Sequence, residues 1–318
     1  METTQKKGLT GFVIKVIAIV TMFIDHCGAV FIERQMTRIM FANPTSYITD
    51  PTYQKLSLID MVMRLIGRMA FPIFIFLLVQ GFIYTRNRAK YAIRLGLFAL
   101  ISEVPFDMAF KNTYFTMSYQ NVFFTLLMGF LFMCVADFIY KKKVAPILGY
   151  IGIVLGSASL GYHLAINTRK ILIPLGFKPL EGPALYGTAA FFAVAIVVAE
   201  IIICRHKPFE ELSKLALSVL VLSAFMWGAD FLATDYGAGG VLAIAMAYAY
   251  RKKPLSSFVA ATVVLTIMNF IEAFAFIDVL FIKKYNGEKG KSMKYFFYAF
   301  YPCHLLVIAL VAKFLLGL

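Results

Sequence analysis

Charge is scarce in this chain. Of its 318 residues only 15% are Asp, Glu, Lys or Arg, whereas a soluble domain carries about a quarter. So little charge cannot clothe a water-exposed surface. Tryptophan occurs once, and the four cysteines (Cys27, Cys134, Cys204, Cys303) stand singly, with no CxxC pair. That excludes a disulfide framework and a cysteine metal site, and leaves each thiol as an apolar packing residue. A GxSxG elbow, an HExxH zinc motif and a Walker loop are also missing, so nothing marks a serine hydrolase, a zinc peptidase or a nucleotide triphosphatase. No nucleic-acid-binding module accompanies the formal charge of +14, and no nucleic-acid partner is expected.

What is abundant is apolar. Hydrophobic residues make up 61% of the chain, the mean hydropathy is +0.79, and apolar runs of about twenty residues recur. The expected fold is all-α, a polytopic membrane helix bundle forming one domain over 1–318. About ten spans are expected, near 11–32, 59–84, 91–110, 119–140, 144–164, 183–204, 214–234, 237–250, 255–282 and 295–317. The polar stretch 33–58, with Pro44 and Pro51, reads as the longest connection. Lys6 and Lys7 precede the first run, which lacks a small-residue cleavage site and is read as a retained span. Strict alternation puts fifteen loop Lys/Arg on the amino-terminal side and seven on the other, once the last loop is set aside. The positive-inside rule then places both termini inside. The exception is that last loop, where Lys283, Lys284, Lys289, Lys291 and Lys294 crowd on the wrong side.

The polar residues inside the spans carry the functional argument. In "GFVIKVIAIVTMFIDHCGAVF", Asp25 and His26 close an apolar run that holds Lys15 eleven residues earlier. Counting ~1.5 Å per residue along each span brings His26 level with Arg64 and Arg68 of "MRLIGRMAFPIF". Glu103 and Asp107 of "SEVPFD", with Pro105 expected to open the helix between them, lie near that level, as do Gln120, Asn121, Asp230, Glu272 and His304. An ionisable side chain facing lipid costs ~2.5–3.5 kcal/mol, so these groups are expected to face one another around a polar chamber open to one side.

Histidine beside a carboxylate suits general base chemistry, since imidazole titrates near neutrality. Consecutive helical positions point ~100° apart, so Asp25 is expected to assist through the field or another residue. Arginines at the same depth can hold phosphate or an oxyanion. Cys27 and Cys303, which flank His26 and His304, are read as packing residues and no Ser or Cys is marked as a nucleophile, so direct transfer between two bound substrates is favoured over a covalent intermediate. Plainer readings stand alongside: Asp25 in a structural ion pair, Lys15 snorkelling, His304 in an interfacial aromatic belt, Gly152 and Gly156 as a helix-packing GxxxG, and "KKYNGEKGKSMK" as a solvated or phosphate-binding loop. The competing classes are an ion-coupled transporter or flippase and, less suited to the spacing, a metal-dependent membrane enzyme using His26 and His304; no metal is expected.

The segments "IKVIAIVTMFIDHCGAVF", "MRLIGRMAFPIFIFLLVQGFIYTRNRAKYAIRLGLFALISEVPFD", "QNVFFTL", "DYGAGGVLAI" and "YNGEKGKSMKYFFYAFYPCHLL" resemble the TraX family of bacterial membrane proteins. The stretch 140–225 adds little to the likeness. The family is named for a protein that acetylates the N-terminus of pilin, and is considered related to wider membrane acyltransferases that carry an Arg or Lys and an essential His with ten residues between them. Lys15 and His26 match that spacing. The resemblance implies a multi-pass acetyltransferase of the bacterial cytoplasmic membrane. It would take acyl groups from acetyl-CoA, as co-substrate, to an amine or hydroxyl of a peptide N-terminus or surface glycan. His26 would be the base, with Asp25 beside it. Lys15, Arg64, Arg68, Glu103, Asp107, Gln120, Asn121, Glu272 and His304 would be candidates for holding donor or acceptor.

Overall fold

The computed structural model describes residues 7–173, 175–315 and 317; Lys6 lies outside them. Among these residues extended backbone pairs only at two isolated bridges, Leu9 with Tyr285 and Gln120 with Thr234. The rest is helix and turn. In chain order the principal helices are α1 (Gly11–Ala42), α2 (Pro51–Tyr84), α3 (Arg88–Phe110), α4 (Val122–Lys141), α5 (Pro146–Asn167), α6 (Gly182–Cys204), α7 (Phe209–Phe231), α8 (Gly237–Ala249), α9 (Pro254–Met268) and α10 (Lys294–Leu310). Seven of them, all but α3, α8 and α9, are long and apolar enough to cross a membrane. The chain is a multi-pass membrane protein.

Local chemistry sets several boundaries. Asp50 caps α2 by accepting from the Thr52 amide at 2.7 Å, with Pro51 at the first helical position. Asn87 and Asn121 do the same for α3 and α4. Pro72 has no N–H to offer the carbonyl four residues back, and α2 loosens there, at Arg68–Met69. The GxxxG glycines of α5 lie against the backbone of α7 at Ala216–Leu217 and Leu220, where a β-carbon would clash.

Three expectations need correcting. The stretch 33–58 is not a connection: α1 continues to Ala42 through a widened π-turn at Gly28–Ile32, α2 starts at Pro51, and only 43–50 joins them. Polar side chains do not stop a helix whose backbone bonds are local, and Glu33 finds a partner in Arg64 at 3.4 Å. Nor does Pro105 open α3, which runs through it unbroken.

The third correction concerns the ninth span. Asn269 takes an extended conformation (φ −152°, ψ 112°) that ends α9, and its side chain caps a tight 3₁₀ stretch, Phe270–Asp278, by accepting from Ile271. This limb, with Val279–Ile282, packs back along α9. Ile282 joins Phe258 of α9 and Ile14 and Ala18 of α1 in one buried cluster. The Leu9 amide donates to Lys284 O at 2.7 Å, and Gly11 and Phe12 donate to Glu288 O and Lys289 O. Residues 254–282 therefore form a re-entrant hairpin with its tip at Asn269–Glu272, where Met268, Asn269 and Glu272 line a polar cavity, a setting in which irregular backbone is tolerated. The lysine-rich loop returns to the amino-terminal face, and the contrast becomes twenty loop Lys/Arg against seven. The exception to the positive-inside pattern disappears. The far end of α10 lies at the opposite face, where Lys313 sits 5.6 Å over the ring of Tyr114, so α1 begins and α10 ends on opposite sides, against the expected placement of both termini inside.

Candidate functional site

A cavity of about 690 Å³ lies between α1, α2, the tip of the hairpin and the 232–236 turn. Its mouth, lined by half-exposed Glu33 and by Lys111, is at the far face. Asp25 and His26 reach it from α1 with different azimuths, as consecutive helical residues must. Asp25 turns toward α2, and His26 turns toward α10.

On the α2 flank, Asp25 bridges two guanidiniums: Arg64 Nη1 at 2.9 Å and Arg68 Nη2 at 3.0 Å. Arg68 Nη1 also reaches Glu272 at 3.0 Å, and its Nε donates to the Arg64 carbonyl. Four residues distant in the sequence thus form one network, and the i,i+4 spacing of the arginines is what lets both face inward. Gly67 makes room for it, since a β-carbon there would overlap the Asp25 carboxylate. Gly28 eases a less extreme approach of α1 to Met63 and Asp60, where a β-carbon would stand 3.1 and 3.3 Å from their atoms.

On the α10 flank, His26 Nδ1 stands 2.7 Å from His304 Nε2, and His304 Nδ1 stands 2.7 Å from the Phe300 carbonyl. A carbonyl only accepts, so His304 donates from Nδ1 and, when neutral, presents a lone pair at Nε2. His26 donates into it from Nδ1. The chain of bonds leaves His26 Nε2 with a free lone pair, the form a general base requires. Phe110 and Tyr301 set their edges against the His26 ring.

Expected residues outside this core take structural places. Asn121 caps α4 and donates to Glu103 at 2.5 Å and to the Ala99 carbonyl at 2.8 Å, fastening α3 to α4. Asp107 accepts from the Thr116 amide at 2.6 Å. Gln120 exchanges backbone bonds with Ala233 and Asp235. None of these four lines the cavity. Lys15 is also away from it, with its ammonium 5.5 Å from the Phe297 ring near the amino-terminal face. Asp230 does line it, caps α8 through the Ala238 amide and lies 3.1 Å from buried His163.

The structure adds Glu33, Tyr119, Asp235, Tyr236 and Tyr301 to the wall. Tyr236 is left-handed (φ 64°) ahead of Gly237 (φ 48°), a strained turn braced by stacking on Phe71 at 3.7 Å. The dipeptide Tyr-Gly after an acidic residue was its only signal. The Tyr119 hydroxyl donates to Asp235 at 2.6 Å, while burial pushes the Asp235 carboxyl above the usual carboxylate range. Carboxylates (Asp25, Glu33, Asp230, Asp235, Glu272) outnumber the cations Arg64, Arg68 and Lys111 along the wall. Among the described residues no three His, Cys, Asp or Glu side chains converge as a metal-binding group.

These features define a polytopic membrane protein with a histidine pair and an ion-pair network around a one-sided polar chamber. The TraX protein family model matches residues 10–224 and 184–312, and the chain belongs to the TraX family. A curated relative, the probable fimbrial assembly protein FimC, serogroup H1, of Dichelobacter nodosus, is 23% identical over 308 residues, 96% of this chain and 97% of its own length. No solved structure matches the chain.

Proposed function

We propose that this protein transfers an acetyl or other short acyl group from acyl-CoA to an amine presented at the far face of a bacterial cytoplasmic membrane, with His26 as general base. The observation that carries the reading is the bond chain Phe300 O···His304···His26, which leaves a basic nitrogen in a partly water-excluded chamber. The acceptor enters as an ammonium, drawn by the carboxyl groups of the wall, and loses one proton to water at the cavity mouth to become nucleophilic. Its nitrogen attacks the thioester carbonyl while His26 Nε2 takes the second proton. The C–S bond breaks, and the CoA thiolate leaves and is protonated to the thiol. Arg68 and Arg64 hold Asp25 in place, and their field favours the oxyanion that forms in passing. The basic amino-terminal face corresponds to the cytoplasm, where acyl-CoA is found. A relative named for fimbrial assembly suggests a pilin-like subunit as the acceptor.

The test is thiol release from acetyl-CoA by the purified protein with a pilin-type N-terminal peptide, a glycan as comparison, and His26→Ala. Turnover that survives in the variant sinks the role of His26. Gradient-driven uptake by proteoliposomes without acyl-CoA would favour a transporter instead.

A further inference from the structure

The hairpin brings together charges that the sequence keeps far apart. At the amino-terminal face, Lys15 of α1 and Lys289 of the returning loop repel one another, and Lys294, at the start of α10, is repelled by Lys289 and by Arg94 of α3. Among the described residues none of these four cations is in an ion pair. Lys15 is placed over Phe297, Arg94 over Tyr91, and Lys289 reaches only the Ser292 hydroxyl. The loop offers one carboxylate, Glu288, which receives the Asn286 amide. Nor does Met293 cap α10 with its side chain, so its positive amino-terminal dipole end adds to the same field. Repulsion that no ion pair among the described residues offsets is a cost that a polyanion would relieve.

The position of this cluster is informative. Phe12 packs edge-on against Phe297 at the cluster, and Phe23 packs against His304 at the other end of the same α1–α10 seam. Lys15 to His26 is eleven residues, about 16 Å of helix, a distance that an extended pantetheine arm bridges. The Arg64 and Arg68 guanidiniums, by contrast, are committed to Asp25, Glu33 and Glu272, in a cavity whose wall holds more carboxyl groups than cations.

We propose that the cluster of Lys15, Arg94, Lys289 and Lys294 binds the phosphates of coenzyme A, with the pantetheine arm running along the α1–α10 seam toward His26. This placement rests on the acyl-CoA reading above and assigns the donor's phosphates to the face opposite the cavity mouth. The same cations also suit the phosphate of an anionic lipid headgroup, so the test separates the two sources.

Titration calorimetry on the full chain in phosphatidylcholine nanodiscs compares CoA, dephospho-CoA and pantetheine for the wild type, for Lys289→Gln with Lys294→Gln, and for His26→Ala. CoA is expected to bind wild type and His26→Ala alike. Dephospho-CoA should bind about tenfold more weakly and the double variant should lose about tenfold or more in CoA affinity. CoA affinity unchanged in the double variant overturns the placement alone. So does a double variant that binds CoA normally but loses sensitivity to added phosphatidylglycerol, which makes the cluster a lipid contact. Wild type that binds no CoA in any lipid overturns the acyl-CoA reading itself.

Discussion

Gly67 lies so close to Asp25 that the only side chain its position accepts is a hydrogen atom. Gly67→Ala therefore pushes the carboxylate off Arg64 and Arg68 or parts α1 from α2. The overpacking is expected to cost about 1–3 kcal/mol, and acyl transfer should fall further than thermal stability in detergent accounts for. Unchanged turnover would show that the Asp25 geometry does not matter to the reaction.

Arg68 is the shared partner of two carboxylates, with Glu272 only 3% exposed at its side chain. Arg68→Gln strands the buried Glu272 and leaves Asp25 with Arg64 alone, and is expected to destabilise the fold by about 3–5 kcal/mol. Arg68→Lys should recover little, since a single ammonium cannot reproduce a fork that spans two acceptors. Neutralising all three, with Arg68→Met, Asp25→Asn and Glu272→Gln, should return stability without returning activity. Melting temperatures with matched turnover assays would separate these outcomes.

His304→Ala removes the acceptor that holds the His26 ring in one tautomer. A drop in kcat of about 10²-fold is expected, with KM for the acceptor little changed, whereas His26→Ala should lose activity altogether. An equal effect on KM would assign His304 to binding instead.

Asp235 gives a pH dependence of known sign. Its folded-state pKa is raised by burial, so its contribution to stability is full below the ordinary carboxylate pKa and is lost as pH rises through the folded value. The protein should melt at a lower temperature as pH rises through that window, and Asp235→Asn should flatten this component. A variant with the wild-type pH profile would remove Asp235 as the source.

The hairpin can be checked by labelling. In a background lacking Cys27, Cys134, Cys204 and Cys303, Gly287→Cys should react from the same face of the membrane as Lys142→Cys and opposite to Asn112→Cys. Labelling of position 287 from the Asn112 side would restore the ninth segment as a crossing.

The helical class, most of the apolar segments and the depth at which Asp25, His26, Arg64 and Arg68 meet were readable along the chain; the level of His304 was counted along a tenth span running the opposite way, a direction that the hairpin reverses. Partition into lipid and 1.5 Å of rise per residue are local properties, the same whatever the neighbours are. Which charges pair is not local. His26 found His304, 278 residues away, in preference to adjacent Asp25, because consecutive helix positions face different neighbours and only packing says which neighbours those are. Glu103, Asp107, Gln120 and Asn121 stand at nearly the same depth yet tie α3, α4 and two turns together outside the cavity, a distinction of azimuth that depth cannot express. The turn at Asn269 is a single extended residue inside an apolar run. Hydropathy has no memory of direction, so the side on which the last lysines emerge was left to the tertiary contacts between residues 9–12 and 284–289.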